Sequence, residues 1–127
     1  AIDADASVIG AIAEMAAKGI GALVVVEGAR VVGLISEREY ARNVALAGRS
    51  SRDTRVRDIM LTQLPMVQLD TDIGVCMALM TEHRVRHLPV MADAELVGLV
   101  SIGDLVAAVI ADQRQIIEHL EQYIASG

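Results

Sequence analysis

Val8, Ile12 and Met15 recur at the spacing of one helical face, and Gly19 stands where that stripe stops. Asp5 or Ser7 is placed to cap this helix. Ala22 to Val26 is an unbroken apolar run, Glu27-Gly28-Ala29-Arg30 interrupts it, and Val31 to Ile35 is apolar again. Two short apolar runs around a polar, glycine-containing turn predict a buried β-hairpin. A second helix is expected from about Glu37 to Ala47, closed by Gly48.

The whole pattern returns 65 positions later, as in Gly33 and Gly98. Asp5 aligns with Asp70, Val8 with Ile73, Ile12 with Met77 and Met15 with Met80. Leu23 aligns with Leu88, Val25 with Val90 and Val32 with Val97, without a gap between Asp5 and Glu39. The second copy therefore has a helix capped by Asp70 or Thr71, a hairpin of His87 to Met91 and Glu95 to Val100, and a helix after Ser101. Two copies are too few for an open solenoid, so they are expected to pack face to face. Ala1 to Asp3 matches the end of a strand whose counterpart is Pro65 to Gln68, which reads as a first copy with most of its opening strand missing.

This divides the chain into a first repeat (1–48), a connector (49–54), a second repeat (55–112) and a helical tail (113–127). The connector, rich in Arg and Ser, reads as a solvated linker, although its arginines and hydroxyls could also close over a phosphate. Thr54 is placed to cap a short helix from Arg55 to Met60. In the tail, Ile116, Ile117, Leu120 and Ile124 continue an apolar stripe, while Arg114, Glu118 and Glu121 read as its solvated face.

Each hairpin runs into the same local motif: Gly33-Leu34-Ile35-Ser36-Glu37-Arg38-Glu39 and Gly98-Leu99-Val100-Ser101-Ile102-Gly103-Asp104. A serine followed three residues later by an acid is a helix cap. The same geometry also suits a phosphate at the serine and a ribose diol at the carboxylate. Arg84 and Arg86 flank Val85 at a strand start, so their side chains share one face, and with His87 they form a candidate anion site.

Composition narrows the function classes. Hydrophobic residues make up 54% and aromatics 2%, which implies an aliphatic core and a buried subunit interface. The net charge of −6 argues against nucleic-acid or anionic-membrane partners. The apolar runs fall well short of the roughly 20 residues of a bilayer span. No targeting segment is visible, so a cytoplasmic location is expected. Cys76 is the single cysteine and reads as a buried small hydrophobe. His83, His87 and His119 do not form a metal set, since His83 and His87 straddle a helix-to-strand boundary. No arrangement identifies a general base for Ser36 or Ser101, so no catalytic residue is assigned and an enzyme is not expected.

The order strand–helix–strand–strand–helix, twice, with G-h-h-S-x-x-[D/E] closing each hairpin and His87-Leu88-Pro89-Val90 opening the second, resembles a tandem pair of cystathionine-β-synthase-type (CBS) domains, a Bateman module. The likeness runs from Ala1 to about Ile110 and is similar to small stand-alone bacterial members. It implies an α/β (α+β) fold of two βαββα repeats related by a pseudo-twofold, plus the helical tail. It also implies a sensor of AMP, ADP, ATP, NAD(H) or S-adenosyl compounds, with AMP first among them. The homodimer it implies agrees with the apolar Val106, Val109 and Ile110, and the effector protein stays unnamed.

On this resemblance Asp104 takes ribose hydroxyls, Ser101 a phosphate oxygen, and Arg84, Arg86 and His87 further phosphate contacts. Ser36, Glu39 and Arg38 hold the matching places in the first copy, which departs by having Glu39 for the usual Asp. It also has Gly19, Gly21 and Ala22 where the second has Arg84, Arg86 and His87, leaving Lys18, Arg38 and Arg42 as nearby cations. Asp104 is therefore expected to serve the tighter site. The competing reading is a dimeric structural or interaction module whose clefts stay unoccupied.

Overall fold

A computed structural model describes residues 1–113 of the chain. Each repeat folds as a three-stranded sheet, with β1 (Ile2–Asp3), β2 (Ala22–Glu27) and β3 (Arg30–Ser36) in the first. The second sheet has β4 (Val67–Gln68), β5 (His87–Ala92) and β6 (Glu95–Ser101) in the same order. In both, the outer short strand pairs parallel and the hairpin antiparallel. Ala22 stands opposite Ser36, and His87 opposite Ser101. Both hairpins shift register at matching places, between Val25 and Val26 and between Val90 and Met91. The mixed α/β fold of two repeats is as the sequence pattern predicts. β1 and β4 are each two residues long at matching positions.

Helix α1 (Val8–Lys18) starts at Ser7, whose hydroxyl accepts from the Gly10 N–H at 3.2 Å. Gly19 ends it at φ 64°, a left-handed conformation that costs glycine nothing. Its face of Val8, Ala11 and Met15 is buried against Leu23, Val25 and Ile35. The opposite face of the hairpin, Ala22, Val24 and Leu34, packs on Leu61, Leu64, Leu96 and Leu99, where the two repeats meet. Side chains alternate along a strand, so burial on both faces is what makes this run continuously apolar.

In the second repeat, α4 (Ile73–His83) buries Cys76 and Met80. Its cap position is Asp72 rather than Asp70 or Thr71; the Thr71 hydroxyl instead accepts from the Gln68 N–H at 2.9 Å in the preceding turn.

The connector region is docked, not a free linker. Val8 N–H donates to the Thr54 carbonyl at 2.9 Å, and Ile9 N–H to the Ser51 carbonyl at 2.9 Å. Helix α3 (Val56–Ile59) inserts Val56 and Ile59 into the first repeat's core. Thr54 is buried but does not cap it; the Asp58 carboxylate accepts from the Arg55 N–H at 3.1 Å. Arg57 then bonds Asp5 at 3.1 Å and also Glu27, pinning α3 to the first repeat. Leu61 exchanges backbone hydrogen bonds with Leu34 at 3.0 and 2.8 Å, adding one more position to the first sheet's edge.

The helix expected over Glu37 to Ala47 is α2 (Glu37–Tyr40) running into a wider π turn (Ala41–Ala45), which seats Val44 in the core. After β6 a helix (α5) occupies 102–113. The tail stripe of Ile116, Ile117, Leu120 and Ile124, with Arg114, Glu118, His119 and Glu121, lies outside the described residues.

Candidate functional site: two clefts between the repeats

Face-to-face packing leaves two related clefts. In the first, the end of β3 and the start of α2, Ser36 to Glu39, face residues 84–87 of the second repeat around a cavity of about 190 Å³. It adjoins a hollow of about 390 Å³ that shares Arg38, Glu39 and Arg84 and adds Arg42 and His83. In the second, Ser101 and Asp104 face Gly19 to Ala22 around about 440 Å³. At the 65-residue offset, Leu34, Ser36, Glu39 and residues 84–87 of the first cleft map onto Leu99, Ser101, Asp104 and residues 19–22 of the second. His87 lines both clefts.

The two motifs are held differently. Asp104 N–H donates to Ser101 Oγ at 3.1 Å, and Ser101 N–H donates to Asp104 Oδ2 at 2.9 Å. This is a reciprocal capping box at the start of α5, so the capping reading of the sequence is met there. The Ser101 backbone N–H, with help from its side chain, holds the Asp104 carboxyl below the usual carboxylate range. In the first repeat Ser36 makes no capping bond; its hydroxyl donates to Glu39 Oε2, and both residues are buried. The longer glutamate reaches past the backbone to the hydroxyl itself.

Arg84, Arg86 and His87 are brought to the Ser36–Glu39 motif, with Arg38 and Glu37. This corrects the expectation that both arginines accompany Ser101 and Asp104. The segment leading into β5 lies across the repeat boundary, so its side chains serve the other repeat's motif. The Ser101–Asp104 cleft meets Gly19 and Gly21 instead. Of these three side chains, His87 alone, opposite Ser101 in the hairpin, lines both clefts, as Gly21 does from the first repeat. Half-buried, it has its pKa drawn below 6.5, chiefly by burial and also by Arg86, against the opposing pull of Glu39 and Asp104.

Arg84 is not on a strand. It is the C-cap of α4 at φ 55°, the place Gly19 holds in the first repeat at φ 64°. Lys18 bonds Glu14 at 2.7 Å and lines a hollow of about 270 Å³ that shares Ile20, Ala22 and Leu99 with the second cleft. The hydroxyls and arginines of 49–54 do not line these clefts either. His83 ends α4 and His87 opens β5, on separate elements as expected. Leu61, which walls the first cleft and its hollow, carries no signal in the sequence pattern, whereas Arg42, expected as a nearby cation, does line the hollow. Arg42 stands four residues after Arg38, a same-face spacing that brings both to the hollow.

A pair of pseudo-symmetric clefts, each built by both halves of an internally repeated α/β fold, defines a class of two-repeat regulatory modules. The CBS-domain family model matches residues 1–46 and 56–111, and the chain belongs to that family as a tandem pair. It is 40% identical over 128 residues to the mitochondrial CBS domain-containing protein CBSX3 of Arabidopsis thaliana, covering 97% of this chain and 62% of that protein. The chain spans less than two thirds of the length of the first curated relatives it matches. A candidate signal-transduction protein with CBS domains from Burkholderia ambifaria superposes with a TM-score of 0.83 at 53% identity, over 88% of this chain and 82% of that one. A CBS-domain protein from Agrobacterium tumefaciens gives a TM-score of 0.77 at 34% identity, over 84% and 85%. These likenesses support a general regulatory role. Among the described residues, no helix is long and apolar enough to cross a membrane.

Proposed function

We propose that the chain is an adenine-nucleotide-binding regulatory module, taking AMP, ADP, ATP or NAD(H) in its clefts and reporting occupancy to an effector protein. The observation that carries this is the construction of each cleft from both repeats, with a Ser-x-x-acid motif on one wall. A ligand seated there touches both halves, so it favours whichever arrangement of the repeats it binds better. The acid suits a ribose diol and the basic first cleft suits phosphate. With its adjoining hollow, that cleft reaches the size range of small-molecule sites.

The module is proposed to act as a homodimer. Ile9, Val75, Val106 and Ile110 are exposed on helices, which a second copy would cover. Hexameric CBS-CP12 proteins from cyanobacteria, 25% identical to this chain, show that relatives assemble.

A thermal-shift panel of AMP, ADP, ATP, NAD⁺, NADH and S-adenosylmethionine tests the reading. A ligand at a hundred times its Kd adds about 2.7 kcal/mol, or a rise of a few degrees in Tm. If all six leave the transition in place, the clefts are unoccupied and the chain is a structural module.

A further inference from the structure

The two clefts share a backbone plan but not a charge. Arg38, Arg84 and Arg86 line the first, and Arg42 lines its adjoining hollow. At the 65-residue offset their counterparts are Gly103, Gly19, Gly21 and Ala107. Every arginine of the first cleft is thus replaced by a residue without a functional side chain. Glu37 and Glu39 are the acids of the first cleft, and four guanidinium groups outnumber them. The described residues lining the second cleft include Asp104 and the shared His87 but no arginine or lysine, and the hollow beside it has one lysine, Lys18, which is paired with Glu14.

Arg84 adds a second observation. It adopts φ 55°, where Gly19 serves the same helix end without strain. A guanidinium is therefore kept at the rim of the first cleft at a backbone position suited to glycine, as strained residues at binding sites often are.

We infer that the clefts divide ligands by charge: the first takes a ligand with two or more linked phosphates, and the second takes a ligand of one negative charge or none. Arg38 and Arg84 line both the cleft and its hollow, with Arg86 in the one and Arg42 in the other, so their planar guanidinium groups are spread to pair with successive phosphates. A single phosphate cannot engage them all. In the second cleft a polyphosphate would meet the Asp104 carboxylate without a compensating cation from the described lining.

The inference rests on the nucleotide reading only for the adenosine part of the ligand, so inorganic tripolyphosphate is the separating probe. Calorimetry on the whole chain, with tripolyphosphate, ATP, AMP and adenosine, is expected to give one tripolyphosphate per chain. ATP should bind that site at least tenfold tighter than adenosine, and tripolyphosphate should displace it. Arg84→Gly and Arg86→Ala should each weaken tripolyphosphate at least tenfold and leave adenosine binding unchanged. Asp104→Ala should leave tripolyphosphate unchanged. Equal affinities for ATP, AMP and adenosine, or arginine variants that bind tripolyphosphate like the parent, would overturn the division by charge while leaving the nucleotide reading intact. Arginine-dependent tripolyphosphate binding to which adenosine adds nothing would keep the polyphosphate site and end the nucleotide reading.

Discussion

His87 stands directly opposite Ser101 across the β5–β6 hairpin, and its imidazole lies between the two acids, one from each repeat, that mark the two clefts. The Glu39 and Asp104 carboxylates favour its cation, while Arg86 opposes it and burial opposes it most. A single titratable ring thus lines both clefts.

The sign of its pH dependence follows. The folded pKa lies below 6.5, so on acidification the unfolded chain binds the proton first. The stability linked to neutral His87 is whole above about pH 6.5 and is lost as pH falls through the lower folded pKa. Urea midpoints measured across this window should drop with pH, and His87→Gln should flatten the drop. Parallel curves for the parent and the variant would show that His87 carries none of it.

Arg84→Gly should not destabilise the protein. A non-glycine residue in the left-handed region costs roughly 1–2 kcal/mol, and glycine returns up to about 1 kcal/mol to the unfolded chain as entropy. The expected result is a stability equal to the parent or higher by up to about 1 kcal/mol in urea denaturation. A clear loss would mean that the Arg84 side chain, and not its backbone, supports the fold.

The repeat was legible because Val8, Ile12 and Met15 find Ile73, Met77 and Met80 at one constant offset. The hairpins were legible from apolar runs broken by Gly28-Ala29 and Asp93-Ala94. Which motif faces which arginine was not, because strand alternation fixes a face within one repeat and says nothing about packing between repeats. Arg84 and Arg86 precede β5 in sequence yet complete the cleft of Ser36 and Glu39. The connector misled for a related reason. Its polar side chains are mostly exposed, as composition suggests, while its backbone carbonyls at Ser51 and Thr54 bond α1 and Val56 and Ile59 enter the core.

Gly33 and Gly98 hold the same motif position but different neighbours. A Cβ on Gly33 would stand 2.5 Å from the Leu61 carbonyl oxygen and 2.9 Å from Met60 Sδ, whereas a Cβ on Gly98 meets nothing within 4 Å. The close approach of Leu61 to the first sheet therefore requires glycine at 33. Gly33→Ala should cost about 1–3 kcal/mol, as overpacked sites do, and Gly98→Ala should fall within about 0.5 kcal/mol of the parent. Chemical denaturation of the two variants side by side decides it, and equal effects would mean Leu61 yields without cost.

The two acids, Glu39 and Asp104, mark clefts of different charge. By alignment alone, the shorter Asp104 and the nearby arginines point to the second cleft as the tighter site. The arginines line the cleft of Glu39 instead, while each acid is engaged by its own serine, Asp104 by the Ser101 N–H and Glu39 by the Ser36 hydroxyl. For a phosphate-rich nucleotide such as ATP, the ranking reverses. Glu39→Ala should weaken the tighter of two calorimetric sites by about tenfold to a hundredfold, the loss typical of a charged hydrogen-bond partner at about 1.5–3 kcal/mol. Asp104→Ala should act on the weaker site alone. Glu39 is buried on the Ser36 hydroxyl, so Glu39→Gln serves as the companion variant that retains a partner for that hydroxyl. A matched melting curve for each variant separates lost binding from lost fold, since Asp104→Ala also removes one half of the α5 capping box. If Asp104→Ala instead abolishes the tighter site in a protein that still melts normally, the arginines do not set the affinity and the second cleft is the principal one.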